Sequence, residues 1–215
     1  MEYNGLRQCI GYKMRTTKNN NMNICIYGSA SSEIDKTFKE ETERLGFMLA
    51  QRGHNLVFGA GAHGLMGAAA RGFKRGGGKI YGVAPSFMNA DGLIYPDCTE
   101  LFRTVTMRER KQKMDDLSDA FVSAPGGIGT YEELFEILTL KQLCQTKRAL
   151  VMLNTNGYYE PLRAMLENGV QLGFMPSATM RLLEFRPTPE SVIDYLENYT
   201  EPVYTMDEVR NVTKA

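Results

Sequence analysis

The sequence predicts an α/β protein: one domain built on a doubly wound, mostly parallel, Rossmann-like sheet with helices on both faces. Three observations carry that expectation. Short apolar runs of strand length alternate with longer amphipathic stretches along the chain. No break in composition divides the 215 residues. Glycine-rich turns ("GSASSE", "GAGAHG", "PGGIGT") follow apolar runs and open helical ones. Strands alternating with helices imply βαβ units and a parallel sheet. Right-handed crossovers then bring every strand-to-helix turn to the carboxyl edge, where open α/β sheets bind ligands.

Each element follows in order. "NICIYG" (23–28) is a strand, and the helix over 33–52 repeats Phe38, Leu45, Met48 and Leu49 at helical spacing. Gly53 closes that helix and "NLVFG" (55–59) is the second strand. A helix over 65–73, a strand "KIYGVA" (79–84) and a Pro/Gly-punctuated loop (85–97) come next. "ELFRTV" is a short strand before a charged helix over 107–117. "DAFVSA" is a strand, followed by the "PGGIGT" turn and a helix to about 143. "RALVMLN" is a strand, 159–172 a helix, "RLLEF" a strand and 189–199 a helix. Residues 1–21 are polar, mildly basic and without period, and are expected to form a mobile tail. The domain runs over 22–200, and 201–215 reads as a C-terminal tail.

Lys+Arg and Asp+Glu both number 25, so the formal net charge is zero and no basic surplus marks a nucleic-acid binder. No apolar run approaches the roughly 18 residues of a membrane span. Cys9, Cys25, Cys98 and Cys144 form no CxxC pair, and only His54 and His63 accompany them, so no metal site is expected. Reduced core thiols in a cytoplasmic protein, without cofactor, are the expectation.

Gly59–Gly64 matches GxGxxG between a strand and a helix. The acid expected about 20 residues on is missing, and the turn follows the second strand, so a dinucleotide cofactor is not supported. "GGGK" (76–79) ends a helix and lacks the Ser/Thr of a phosphate-binding P-loop. The turn at 125–130 is more specific. Pro125 fixes it, Gly126, Gly127 and Gly129 let backbone amides crowd an anion at a helix N-terminus, and Thr130 adds a hydroxyl. Glu133 has two readings: Thr130 and Glu133 fit a capping box, or the acid does chemistry. In "MRERKQKM" (107–114), Met107, Arg110, Lys111 and Met114 share one helical face. The ordinary alternative is a solvated face with i,i+4 pairs Glu109–Lys113 and Lys111–Asp115.

Taken in order, these pieces resemble the LOG (LONELY GUY) family of cytokinin nucleotide phosphoribohydrolases, often labelled lysine decarboxylase-like. The motif PGGxGTxxE is intact from Pro125 to Glu133, and Arg-Lys-x-x-Met is intact from Arg110 to Met114. The resemblance covers about residues 22–185. It implies hydrolysis of a nucleoside 5′-monophosphate, AMP or N6-modified AMP, to free base and ribose 5-phosphate, with Arg110 and Glu133 catalytic. Gly28, Ser29, Gly61, Met107, Lys111, Gly126, Gly127, Gly129 and Thr130 would contact the substrate or its phosphate. Ala60 stands where the family usually has glycine, and the added methyl is expected to matter little. Arg108 stands where a histidine is often seen. Family members pair through helices next to the active site, so a homodimer is expected. Two alternatives stay open: a general purine-nucleotide nucleosidase, and a nucleotide carrier or sensor without turnover. Met88, Leu93 and Phe102 are either an apolar pocket for an isoprenoid tail or ordinary packing.

Overall fold

The computed structural model describes residues 21–88, 92–205 and 207–210. The expected tail at 1–21 therefore lies, except for Asn21, outside the described residues, as does Cys9. Seven strands form one sheet in the order β4-β3-β2-β1-β5-β6-β7: β1 Asn23–Tyr27, β2 Asn55–Phe58, β3 Ile80–Pro85, β4 Glu100–Thr104, β5 Ala120–Ser123, β6 Ala149–Leu153 and β7 Glu184–Arg186. Every pairing is parallel. Among the described residues five α-helices connect strands, α1 Lys36–Gln51, α2 Gly64–Gly76, α3 Met107–Leu117, α4 Ile128–Gln142 and α5 Glu160–Gln171, and α6 Pro189–Glu197 follows β7.

The central strands are buried on both faces, as a covered parallel sheet requires. Along β1 the side chains alternate between two cores. Ile24 and Ile26 join Leu45, Leu49, Phe73 and Val192 of α1, α2 and α6. Cys25 and Tyr27 join Met114, Leu134, Ile137 and Leu162 of α3, α4 and α5. Among the described residues no helix is long and apolar enough to cross a membrane.

Several boundaries differ from the sequence expectation, and three of the differences have a visible cause. Helix α1 begins at Lys36 because Asp35 caps it, its carboxylate accepting from the Thr37 amide at 2.8 Å. "RLLEF" is mostly not strand: Ser177–Leu182 winds as 3₁₀ helix, and consecutive Leu182 and Leu183 are both buried, which an alternating strand does not allow. The expected C-terminal tail packs in part on α4. Tyr204 and Val209 are buried, the Tyr204 hydroxyl donates to Lys141 O at 3.0 Å, and Gln142 Nε2 donates to Val209 O at 2.7 Å.

Candidate active site

Strands β2 and β5 both neighbour β1, so the chain winds outward from β1 in two directions and the switch point lies at its carboxyl end. Gly28 and Ser29 sit there, beside the turn after β5. The Ser29 amide donates to Pro125 O at 3.1 Å, and Ser29 O accepts from the Leu65 amide of α2 at 2.7 Å. Ser29 therefore ties three turns together through its backbone, and its hydroxyl accepts from the Ser31 amide at 3.1 Å.

The 125–130 turn places an open helix end at this point. Gly127 is the N-cap of α4 and no side chain caps it. Gly127, Ile128 and Gly129 are exposed, and a Cβ added at Gly127 or Gly129 would meet nothing among the described residues within 4 Å. Gly126 is glycine for a different reason: a Cβ there would lie 2.1 Å from the buried Thr130 Oγ1. The first amides of a helix have no intrahelical partner and carry its positive end, so this turn fronts open space with donors suited to an anion.

Thr130 is the third residue of α4, not its cap, so the capping-box alternative for Glu133 does not hold. A related arrangement, with the acid reaching one residue beyond the N-cap, occurs at α3, and a full capping box occurs at α6 between Thr188 and Ser191. Thr106 Oγ1 accepts from the Glu109 amide at 3.1 Å, and Glu109 Oε2 accepts from the Val105 amide at 2.9 Å.

Glu133 faces Arg110. Arg110 Nη1 donates to Glu133 Oε1 at 3.1 Å, with the two side chains only 10% and 13% exposed. The guanidinium is fixed from two further sides. Its Nε donates to Val83 O in β3 at 3.2 Å, and it fills the space a side chain at Gly59 would take, with Nη2 1.7 Å from that Cβ position. Burial pushes the Glu133 carboxyl up to about 7, and the Arg110 charge pulls the other way without overcoming it. A carboxylate poised near neutrality beside a fixed cation is suited to acid–base or electrostatic work.

The remaining expected site residues divide. Lys111 ties α3 to α4 through Glu132 and, at 3.1 Å, Glu136. Its ammonium is thus paired with two carboxylates of the neighbouring helix. The i,i+4 partners proposed from spacing are also differently engaged: Lys113 lies over the Phe102 ring at 4.4 Å, and Asp115 pairs with Arg148 at 2.5 Å. Met107 is half-exposed at the start of α3, while Met114 is core. Gly61 bridges Ile94, and the adjacent Ala62 amide is taken by Leu93 O at 2.9 Å. Ala60 differs from expectation in backbone rather than bulk, with φ of 60°, where L-residues are strained. Phe102 lines an outer groove of about 470 Å³ with Arg103, Glu109 and Lys113, a groove that includes neither Arg110 nor Glu133. Sequence reasoning missed Gly59 as the seat of Arg110, and it missed Tyr158 and Tyr159, whose hydroxyls hold the carbonyls of Gly126 and Ala124. Their only signal was position, in the turn after a central strand.

A Rossmann-like sheet with an uncapped helix end at its switch point, beside a largely buried arginine–glutamate pair, has the layout of a nucleotide site. A family model described as "Possible lysine decarboxylase" matches residues 66–196, and the chain belongs to that family. A rice protein (Oryza sativa subsp. japonica) named "Probable cytokinin riboside 5′-monophosphate phosphoribohydrolase" is 35% identical over 179 residues, 83% of this chain and 73% of its own. A cytokinin riboside 5′-monophosphate phosphoribohydrolase of Arabidopsis thaliana is 31% identical over 186 residues, 86% of this chain and 87% of its own. Among solved structures, the Chlamydomonas reinhardtii Moco carrier protein superposes with TM-score 0.63 at 21% identity, covering 82% of this chain and 96% of that one. At that identity the likeness shows the fold.

Proposed function

We propose that this protein hydrolyses the N-glycosidic bond of purine nucleoside 5′-monophosphates, N6-substituted AMP among them, to free base and ribose 5-phosphate. The observation that carries this reading is Glu133. It is a largely buried carboxylate held by Arg110, five residues along the helix that opens with the uncapped glycine turn. Five residues rise about 7.5 Å along a helix, comparable with the length of a ribose 5-phosphate. Relatives named as 5′-monophosphate phosphoribohydrolases support the same substrate class.

As the C1′–N bond lengthens, its electron pair leaves with the base and positive charge grows on the ribose. Ionised Glu133 stabilises that charge and orients a water for attack at C1′, drawing off its proton. The water oxygen becomes the new hydroxyl at C1′, and the proton completes the base. Arg110 holds the carboxylate in place through its rigid fork. Gly126, Gly127 and Gly129 offer amides to the phosphate, with Thr130 beneath them.

The test is a panel of nucleoside monophosphates, with and without N6-isopentenyl groups, followed by chromatography. Free base and ribose 5-phosphate should appear from the monophosphates and far more slowly from the nucleosides. A protein that binds AMP and returns it intact is a carrier, and the hydrolase reading falls. The protein is further proposed to act in the cytoplasm as a homodimer that covers the apolar rim of the site. Ile128 is 89% exposed there, and Val105 and Met107 are exposed nearby. Light scattering should give twice the mass of one chain.

A further inference from the structure

The turn that fronts the site is held from behind. Three consecutive carbonyls each accept a hydrogen bond from a different group. Tyr159 Oη donates to Ala124 O at 2.7 Å, the Ser29 amide to Pro125 O at 3.1 Å, and Tyr158 Oη to Gly126 O at 2.6 Å. A peptide unit is planar and trans, so its C=O and the following N–H point in opposite directions. Fixing a carbonyl therefore aims the next residue's amide. Ser29 aims the amide of Gly126, and Tyr158 aims that of Gly127, which is exposed at the end of α4. The Ala124 carbonyl precedes Pro125, which has no N–H, so Tyr159 aims no donor.

The tyrosines are themselves held. Tyr159 is fully buried and its amide donates to Asn154 Oδ1 at 2.7 Å. Tyr158 packs edge-on against Tyr159, ring centroids 5.1 Å apart, and against Phe38 at 6.0 Å, and its hydroxyl meets that of Tyr131 at 3.2 Å. The Tyr158 hydroxyl is thus a fixed point rather than a group that follows the loop.

We propose that Tyr158 is a positioning residue for phosphate recognition, acting through the Gly126 carbonyl to hold the Gly127 amide toward the ligand, while Tyr159 serves stability alone. This rests on the phosphate-binding part of the function proposed above, which the relatives' names support independently of the helix end.

The experiment compares Tyr158→Phe with Tyr159→Phe, each removing one hydroxyl and keeping the ring. Calorimetry measures inorganic phosphate, ribose 5-phosphate, AMP and adenosine on each. Tyr158→Phe should weaken the three phosphate-bearing ligands by up to roughly tenfold, the scale of one hydrogen bond. Adenosine affinity should stay unchanged, and KM for AMP should rise with kcat nearly kept. Tyr159→Phe should lower Tm without that discrimination. Unchanged phosphate affinity in folded Tyr158→Phe, or equal losses for AMP and adenosine, would overturn the proposal. A wild-type measurement stands apart from the variants: in NMR, phosphate should shift the Gly127 amide, and an unmoved Gly127 alongside bound phosphate also overturns it. Phosphate binding needs no turnover. A protein that passes these tests yet cleaves no nucleotide loses the hydrolase reading and keeps this one.

Discussion

Two glycine-rich turns flank β1 at the carboxyl edge, one after β2 and one after β5, and they put their missing side chains to opposite uses. After β5, Gly127 and Gly129 border open space, and nothing among the described residues lies where a Cβ would go. After β2 the space is already occupied. Arg110 fills the Cβ position of Gly59, Gly64 has φ of 57° with Ser29 O 2.3 Å from its Cβ position, and the Ala62 and Leu65 amides are bonded to Leu93 and Ser29. Glycine permits close approach, and the neighbours decide whether what approaches is a ligand or the protein itself. The β5 turn leaves the first amides of α4 uncapped beside open space, a geometry suited to an anion. The β2 turn is a frame that seats the arginine facing Glu133.

The largest effect is expected at the pair the two turns jointly position. Glu133→Gln should reduce kcat by about 10²–10⁴-fold, the range for loss of a general base. AMP should still bind, and Tm should not fall, because the neutral amide no longer suffers the burial cost of a carboxylate. A variant retaining a third of wild-type kcat would remove Glu133 from the mechanism. The turns themselves separate in the next experiment. Gly59→Ala drives a methyl into Arg110 Nη2, so the guanidinium must leave Val83 O and Glu133. A misplacement of about 1 Å can cost on the order of 10²-fold in rate, so kcat should fall by about that much. Gly127→Ala adds a methyl to ligand space alone, so KM for AMP should rise with kcat nearly kept. Steady-state kinetics on the two variants checks the contrast, and the same pattern in both would erase it.

How much of this was legible in the sequence follows the range of the interactions. Strand and helix order was legible because apolar periodicity is local, and the parallel sheet followed from alternation. "RLLEF" misled because a short apolar run does not distinguish a strand from a 3₁₀ turn that buries two adjacent leucines. Arg110 and Glu133 were named by motif, but their contact joins residues 23 apart and needed the fold. The ion pairs of Lys111 were not legible, because its partners, Glu132 and Glu136, come from another helix. Gly59 and Tyr158 were illegible for one shared reason: each acts by contact with an element distant in sequence, and nothing beside it in the chain names that element.

The pH dependence divides the two turns again. Burial raises Glu133 from its ordinary value near 4.5 to about 7, against the pull of Arg110. With the ionised form at work, kcat/KM should climb with pH through about 7. For stability, the native state holds this proton more tightly than the unfolded chain. Between about 4.5 and 7 the folded protein therefore binds more protons, and stability falls as pH rises across that window, with the loss complete above it. Glu133→Gln should flatten both trends. Arg110→Gln removes the opposing charge, so any residual activity should rise at higher pH than in the wild type. Gly127→Ala should leave the profile in place, since it touches neither Glu133 nor Arg110. Rate and unfolding curves across pH 4 to 9 check this, and a Gly127→Ala profile displaced like that of Arg110→Gln would mean the turns do not act separately.

The smallest effect is expected at Ala60, which tests whether the β2 turn is a rigid frame. Ala60 is fully buried with φ of 60°, and its carbonyl accepts from the Tyr95 amide at 2.8 Å. A left-handed L-residue costs about 1–2 kcal/mol, which glycine would relieve. Against that, glycine loosens the unfolded chain by about 0.4–1 kcal/mol and gives up a buried methyl worth about 0.8 kcal/mol. These opposing effects nearly cancel. Ala60→Gly should therefore shift stability by less than about 1 kcal/mol, or about 2–4 °C in Tm for a chain of this size. Because the Tyr95 bond uses backbone, Arg110 should keep its seat at Gly59 and kcat should not move. Calorimetry and kinetics on this one variant give the check. A stability change above about 2 kcal/mol would show that the φ of residue 60 is not imposed by its neighbours. A fall in kcat at unchanged stability would show that the frame yields, and that Arg110 depends on the methyl of Ala60 as well as on the absence of one at Gly59.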